Sequence, residues 1–156
     1  MTKLNPEYVE AIKRVVNTSP YFSLLSMEIK ALEIGHTRLE VILEKKHLHP
    51  FGMVHGGAFA SLVDAAAYWA LFAEVDEGQW MTTVEMKLNF LAPAQEGKLV
   101  AEGRRIKLGR TLGLGEARVE DEKGRLLAYG IGTFMILPGP GLSESLPPKF
   151  LDATPQ

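Results

Sequence analysis

The run from His49 to Trp69, HPFGMVHGGAFASLVDAAAYW, constrains this chain more than any other stretch. From Gly56 or Gly57 to about Val75 it reads as one long helix, apolar on most sides, so it has to be enclosed rather than laid on a surface. Ala58, Ala60, Ser61, Ala65, Ala66 and Ala67 are small enough to let a sheet pack closely against it. A single carboxylate, Asp64, interrupts the apolar stretch Ala58–Ala73. A membrane-spanning helix wants about 20 apolar residues and no central charge, so this one is expected in a protein core.

The rest of the chain supplies what encloses it. Asn5 suits an N-cap and Pro6 the first position of an opening helix, and Tyr8, Val9, Ile12, Val15 and Val16 follow at helical spacing. NTSP ends that helix. Met27–Ile34 and Thr37–Glu44 read as strands on either side of Gly35. In the second, Leu39, Val41 and Leu43 alternate with Arg38, Glu40 and Glu44, and Ile42 is the one break. Residues 45–54 read as loop. Thr82–Leu91, Lys98–Leu108, Leu112–Asp121 and Leu126–Leu137 read as four more strands. In the first of these, Val84, Met86, Leu88 and Phe90 alternate with Glu85, Lys87 and Asn89. Short turns at AQEG, GRT and DEKGR predict an antiparallel meander of these four. Pro138, Pro140, Pro147 and Pro148 mark an irregular tail. The pattern of helix, two strands, buried helix and four strands predicts an α+β fold in which one curved sheet covers one helix. Such a sheet leaves an edge or a face for a second copy of the chain to cover.

A chain of 156 residues is expected to form one domain, with a core that needs no disulfide staple; it has no cysteine. The expected divisions are an N-terminal helix and lead-in over 1–23, the main domain over 24–138 and the tail over 139–156. The net charge of −2 argues against a nucleic-acid partner. MTKLNPEYVEAIKRVV lacks the apolar region of a signal peptide, so a cytoplasmic location is expected.

Four groups of residues could carry chemistry. Gly57, Ser61, Asp64 and Tyr68 are spaced by four, three and four, which puts a polar stripe on one face of the apolar helix. Enclosure of Asp64 is costly and raises its pKa, which suits a general base or a nucleophile. It also suits a structural carboxylate capped by a hydroxyl or paired with an arginine. Gly56 and Gly57 open the helix, where free N–H groups and the helix dipole favour developing negative charge, or where a tight turn is needed. His47, His49 and His55 lie close in sequence, but without cysteine and with no common zinc spacing. No metal is therefore expected, and a loop histidine bonded to backbone is. Arg104, Arg105, Lys107 and Arg110 form either a phosphate-binding patch or a solvated strand face balanced by Glu102 and Glu116.

Taken together, HPFGMVHGGAFASLVDAAAYWA and TTVEMKLNFLAPAQEGKLVAEGRRIKLGRTLGLGEARVEDEKGRLLAYGIGTFMI resemble the hotdog-fold acyl-CoA thioesterases, most of all the phenylacetate-degradation branch. The resemblance spans about residues 24–138. It rests on VHGG, on the Asp nine residues after His55, and on the strand ending NFLAPA. It implies a long central helix wrapped by a curved antiparallel sheet of about six strands. It also implies homodimers, often paired into tetramers, with active sites at the dimer interface. The implied substrate is an acyl-CoA; no cofactor is implied, since coenzyme A belongs to the substrate, and neither nucleic acid nor membrane is a partner.

Residue by residue, the resemblance makes Gly56 the backbone donor to the thioester carbonyl and makes Asp64, from the other subunit, the base or nucleophile. Thr83 stands where a serine or threonine positions the carboxylate or water. His49 stands where the branch commonly has asparagine; an imidazole can also bond a water or carbonyl, but it adds a pH dependence. Phe51, Phe59, Leu62 and Met86 would line the acyl cleft, with His55 and Gly57 beside the substrate. Arg105, Lys107 and Arg110 would meet the phosphates of coenzyme A. Two other readings stay open. A hotdog hydratase or dehydratase would pair His49 or His55 with Asp64. A non-catalytic acyl-CoA-binding domain is the other, and a costly carboxylate counts against it.

Overall fold

Gly103 sits so close to the long helix that a Cβ built on it would fall 2.0 Å from the carbonyl oxygen of Ala66. That contact shows how tightly sheet and helix meet. The computed structural model describes residues 3–139, 142 and 145–151. The elements in chain order are β1 (Lys3–Leu4), α1 (Pro6–Asn17), α2 (Pro20–Leu25), β2 (Met27–Glu33), β3 (His36–Ile42), α3 (Gly56–Phe72), β4 (Gln79–Phe90), β5 (Lys98–Leu108), β6 (Leu112–Asp121), β7 (Leu126–Pro138) and β8 (Phe150–Leu151). A single six-stranded antiparallel sheet, ordered β2-β3-β5-β6-β7-β4, touches α3 with every one of its strands. The enclosed helix and the α+β class are as expected.

The small residues do what their size allows. Ala66, Ala67 and Ala70 on α3 are fully buried, and so are Ala101, Ala117 and Ala128 on the facing strands. Larger side chains fill the remaining core, among them Leu39, Leu62, Val63, Leu71, Leu99 and Phe134. Among the described residues, no helix is long and apolar enough to cross a membrane.

Three expectations need correction. β4 does not join a meander with its sequence neighbours: the chain after Phe90 crosses over, and β4 pairs instead with β7 at the edge of the sheet. Only β5, β6 and β7 run as a meander. The simple alternation of β4 also fails, because Val84 bulges out of the ladder between Thr83 and Glu85. A bulge shifts the facing of every residue beyond it. Thr83 faces α3 on one side of the bulge, as Met86, Leu88 and Phe90 do on the other, while Val84 is left exposed. The tail is not wholly irregular either. Phe150 and Leu151 pair with Leu4 and Lys3, and Lys149 is buried. Pro140 and residues 141, 143, 144 and 152–156 of the expected tail lie outside the described residues.

Three elements were not expected. α2 starts at Pro20 behind Ser19, the same arrangement as Asn5 and Pro6 at α1, and Ser26 in the left-handed region ends it. β1 and β8 form a two-residue ladder. Asn5 joins this ladder to α1: its Oδ1 accepts from the Glu7 N–H at 3.0 Å, and its Nδ2 donates to the Pro148 carbonyl at 2.8 Å.

Candidate active site

The polar stripe on α3 survives in the structure, and each of its side chains finds a partner. Ser61 Oγ donates to the Gly57 carbonyl at 2.8 Å and lies 2.7 Å from the hydroxyl of Tyr21 on α2. The Tyr68 hydroxyl accepts a long bond from the Met81 N–H. Asp64 Oδ1 accepts from the Thr83 hydroxyl at 2.8 Å. Thr83 shares the inward face of Met81, and the bulge at Val84 brings Met86 onto that face beyond it. Burial pushes the Asp64 carboxyl above the usual carboxylate range, and the Thr83 hydrogen bond pulls it part of the way back. No arginine or lysine pairs with it among the described residues.

Asp64 and Thr83 line a pocket of about 430 Å³, together with Tyr21, Met27, Tyr68 and Met86. Of the residues that the resemblance assigns to an acyl cleft, Met86 lines this pocket. Phe59 and Leu62 do not: both are buried in the core, Phe59 against the ring of Phe90 at 6.3 Å. Phe51 stands 87 % exposed on its loop, away from this pocket. Tyr21 lies between the NTSP helix end and the strand at Met27, where the sequence reading places no element; the Ser19–Pro20 pair is the signal for the helix that carries it.

At the start of α3 the first N–H groups divide. His55 is the N-cap, and its Nδ1 accepts from the Gly57 N–H at 2.8 Å, while its carbonyl accepts from the Ala58 N–H. The Gly56 N–H has no partner among the described residues. Gly56 is thus the donor left open at the positive end of the helix dipole, and Gly57 and His55 are occupied with each other. The Phe90 ring packs over Gly56, 3.3 Å from where a Cβ would stand. Gly56 and Asp64 are eight residues apart on one helix, about 12 Å along its axis.

The loop histidines hold their own loop. His47 Nδ1 accepts from the Glu44 N–H, and its Nε2 lies 2.7 Å from the Leu25 carbonyl. His49 Nδ1 accepts from the Phe51 N–H at 3.1 Å and does not join the Asp64 pocket. Among the described residues, no three histidines and carboxylates gather as a metal would require. Of the basic cluster, Arg105 is tied to Glu74 just past the end of α3, at 3.0 Å. Lys107 and Arg110 are exposed at the β5–β6 turn without ion-pair partners among the described residues. None of the three lines the Asp64 pocket.

The sequence profile of the thioesterase superfamily matches residues 51–128, the span from the loop before α3 into β7. A protein of Saccharolobus solfataricus that carries a provisional esterase name is 30% identical over 128 residues, covering 82% of this chain and 85% of its own. The proofreading thioesterase EntH of Klebsiella pneumoniae is 35% identical over 94 residues, 60% of this chain and 69% of its own. Among solved structures, thioesterase HI1161 of Haemophilus influenzae superposes with a TM-score of 0.79 at 21% identity, over 93% of this chain and 99% of that one. The zebra fish thioesterase superfamily member 2 gives 0.73 at 25% identity, over 81% and 96%.

Proposed function

The chain belongs to the thioesterase superfamily, and from that footing we propose that it hydrolyses acyl-coenzyme A thioesters, with Asp64 delivering the attack and the Gly56 N–H stabilising the carbonyl oxygen. The observation that carries this reading is the state of Asp64. It is a half-buried carboxylate with no cationic partner among the described residues, lining a pocket and held by one hydroxyl. A structural ion pair would have supplied an arginine or a lysine. The raised pKa suits a base that must take a proton near neutral pH.

Attack on the thioester carbonyl puts negative charge on its oxygen. The unpartnered Gly56 N–H at a helix start offers that charge a preorganised donor. The ionised Asp64 takes a proton from the attacking water, or itself forms a mixed anhydride that water then opens. In either route the C–S bond breaks, and free acid and the thiol of coenzyme A result. Thr83 holds the carboxylate in register.

About 12 Å of helix separates the two groups, so one copy does not bring them to one carbonyl. The reading therefore includes a homodimer. Edge strand β4 supports it: it is 12 residues long, pairs on one side only, and exposes Trp80, Val84 and Phe90. Long apolar edges of this kind call for a covering strand. Antiparallel pairing of two β4 edges sets Gly56 of one copy beside Asp64 of the other.

The test is release of free thiol from a panel of aromatic, short-chain and medium-chain acyl-CoAs. Release from at least one class is expected, and no release from any overturns the assignment. Conversion of an enoyl-CoA without thiol release would point to a hydratase instead.

A further inference from the structure

A cavity of about 780 Å³ lies outside the pocket described above and shares two walls with it. Tyr68 and Trp69 line both spaces, so they form the partition between them. From Asp64 the path runs along α3 past Tyr68 to Phe72, whose ring stacks on that of Tyr68 at 5.8 Å. The eight residues from Asp64 to Phe72 span about 12 Å. The chamber's inner wall is aromatic, built from Tyr68, Trp69, Phe72 and Trp80, and the exposed Asp76 and Glu77 line it as well.

Its outer wall comes from both ends of the chain. Tyr8 on α1, together with Leu142, Leu146 and Pro147, closes it, and all four stand outside the segment 51–128 that the family profile matches. Lys149 pins this wall in place. Its ammonium donates to the carbonyls of Phe72 and Val75 at the end of α3 and lies 4.3 Å from the centre of the Phe72 ring. The wall is thus fixed to the same helix that carries Asp64.

We propose that this chamber receives the far end of the substrate's acyl group, and that the chain therefore favours acyl groups long and apolar enough to pass Tyr68 and Trp69. The proposal rests on the thioesterase reading for the identity of the ligand. A medium-length alkyl or aryl-alkyl tail fits the aromatic lining, and a short acyl group leaves the chamber unused. The terminal segments, which lie outside the matched span 51–128, then set chain-length preference.

Of the chain's two tryptophans, Trp69 lines both spaces and Trp80 lines the chamber alone, so an emission change larger with a long ligand than with a short one reports occupancy of the chamber. Wild-type protein and the variant Leu146→Phe are titrated with the non-hydrolysable thioethers S-decyl-CoA and S-butyl-CoA, and turnover of decanoyl-CoA and butyryl-CoA is measured beside them. S-decyl-CoA is expected to change the tryptophan emission saturably in the wild type, and S-butyl-CoA, which reaches Trp69 only from the Asp64 pocket, to change it less. Leu146→Phe should weaken S-decyl-CoA binding and lower kcat/KM for decanoyl-CoA about tenfold, the scale of a filled hydrophobic subsite. Butyryl-CoA turnover and the melting temperature should hold. Equal emission changes with both thioethers, or equal effects of the variant on both chain lengths, would overturn the proposal. Binding of S-decyl-CoA as described, with no thioester hydrolysed, would leave the chamber standing and remove the thioesterase reading.

Discussion

The Thr83 hydroxyl donates to Asp64 Oδ1 at 2.8 Å across the seam between β4 and α3. Val84, extruded from the ladder one residue later, lets Thr83 and Met86 face the helix from the two sides of the bulge. The bond favours the ionised form and holds the Asp64 pKa below where burial alone would set it. Thr83→Val should therefore move the acid limb of the pH–rate profile to higher pH. On that limb the rate should fall about tenfold, the scale of one hydrogen bond to a charged group. Thr83→Ser should restore the profile. A limb that does not move would show that the bond has no bearing on the active carboxylate.

Asp64→Asn should lower kcat about a hundredfold or more, the usual contribution of a positioned base. It should also make the protein more stable at neutral pH. The folded-state pKa of Asp64 lies above its unfolded value, so the folded state binds the proton more tightly. Below the ordinary carboxylate range the group is neutral in both states and contributes nothing. As pH rises through that range to the folded pKa, ionisation increasingly costs stability, and above it the cost is complete. Thermal melts of variant and wild type across this range should diverge as pH rises. Melting curves that keep a constant offset would contradict the raised pKa.

Lys107→Ala and Arg110→Ala should each raise KM for acyl-CoA severalfold at low salt, with the effect shrinking as salt screens the charge. KM for an acyl-pantetheine, which lacks the nucleotide phosphates, should not change. Arg105→Ala should do less to KM, because Arg105 is already engaged by Glu74. Steady-state kinetics at two ionic strengths decides this, and an unchanged KM returns the turn to plain solvated surface.

Gly103→Ala should cost about 3 kcal/mol or more, at the upper end of overpacking effects. The added methyl meets backbone, the carbonyl of Ala66 at 2.0 Å, and backbone cannot turn aside. Gly113→Ala should cost less, because its Cβ would meet side-chain methyls of Leu71 and Leu108 at 3.1 and 3.2 Å. Chemical denaturation of the two variants orders them, and the reverse order would show that the sheet can lift off the helix.

The sequence carried the helix, the small-residue packing and most strand boundaries, because each of these is written in local spacing. Lys98–Leu108 and Leu112–Asp121 come out of the sequence with the bounds the structure has. Which strands become neighbours is a long-range matter. The turn after Phe90 looked like any other turn, yet it carries β4 out of the meander to pair with β7. The bulge was hidden for the opposite reason. Val84 has the apolar character of an inward residue, and alternation assigned it that role; only the register with β7 expels it. At the site, Asp64 was legible as a carboxylate out of place, and Gly56 as half of a glycine pair. What separates Gly56 from Gly57 is the ring of His55, which takes one N–H and leaves the other. Phe51 and Phe59 were assigned by residue type, and type does not distinguish an exposed loop tip from a core position.

The short ladder between Lys3–Leu4 and Phe150–Leu151 makes the described chain nearly a closed ring. A linker across that ladder and a cut at the Asp121–Arg125 turn, where Gly124 adopts φ 77°, would reorder the gene and keep the sheet neighbours. In such a permuted protein the two segments that close the large cavity would become one continuous stretch of polypeptide. They could then be exchanged as a single cassette, with α3 left untouched.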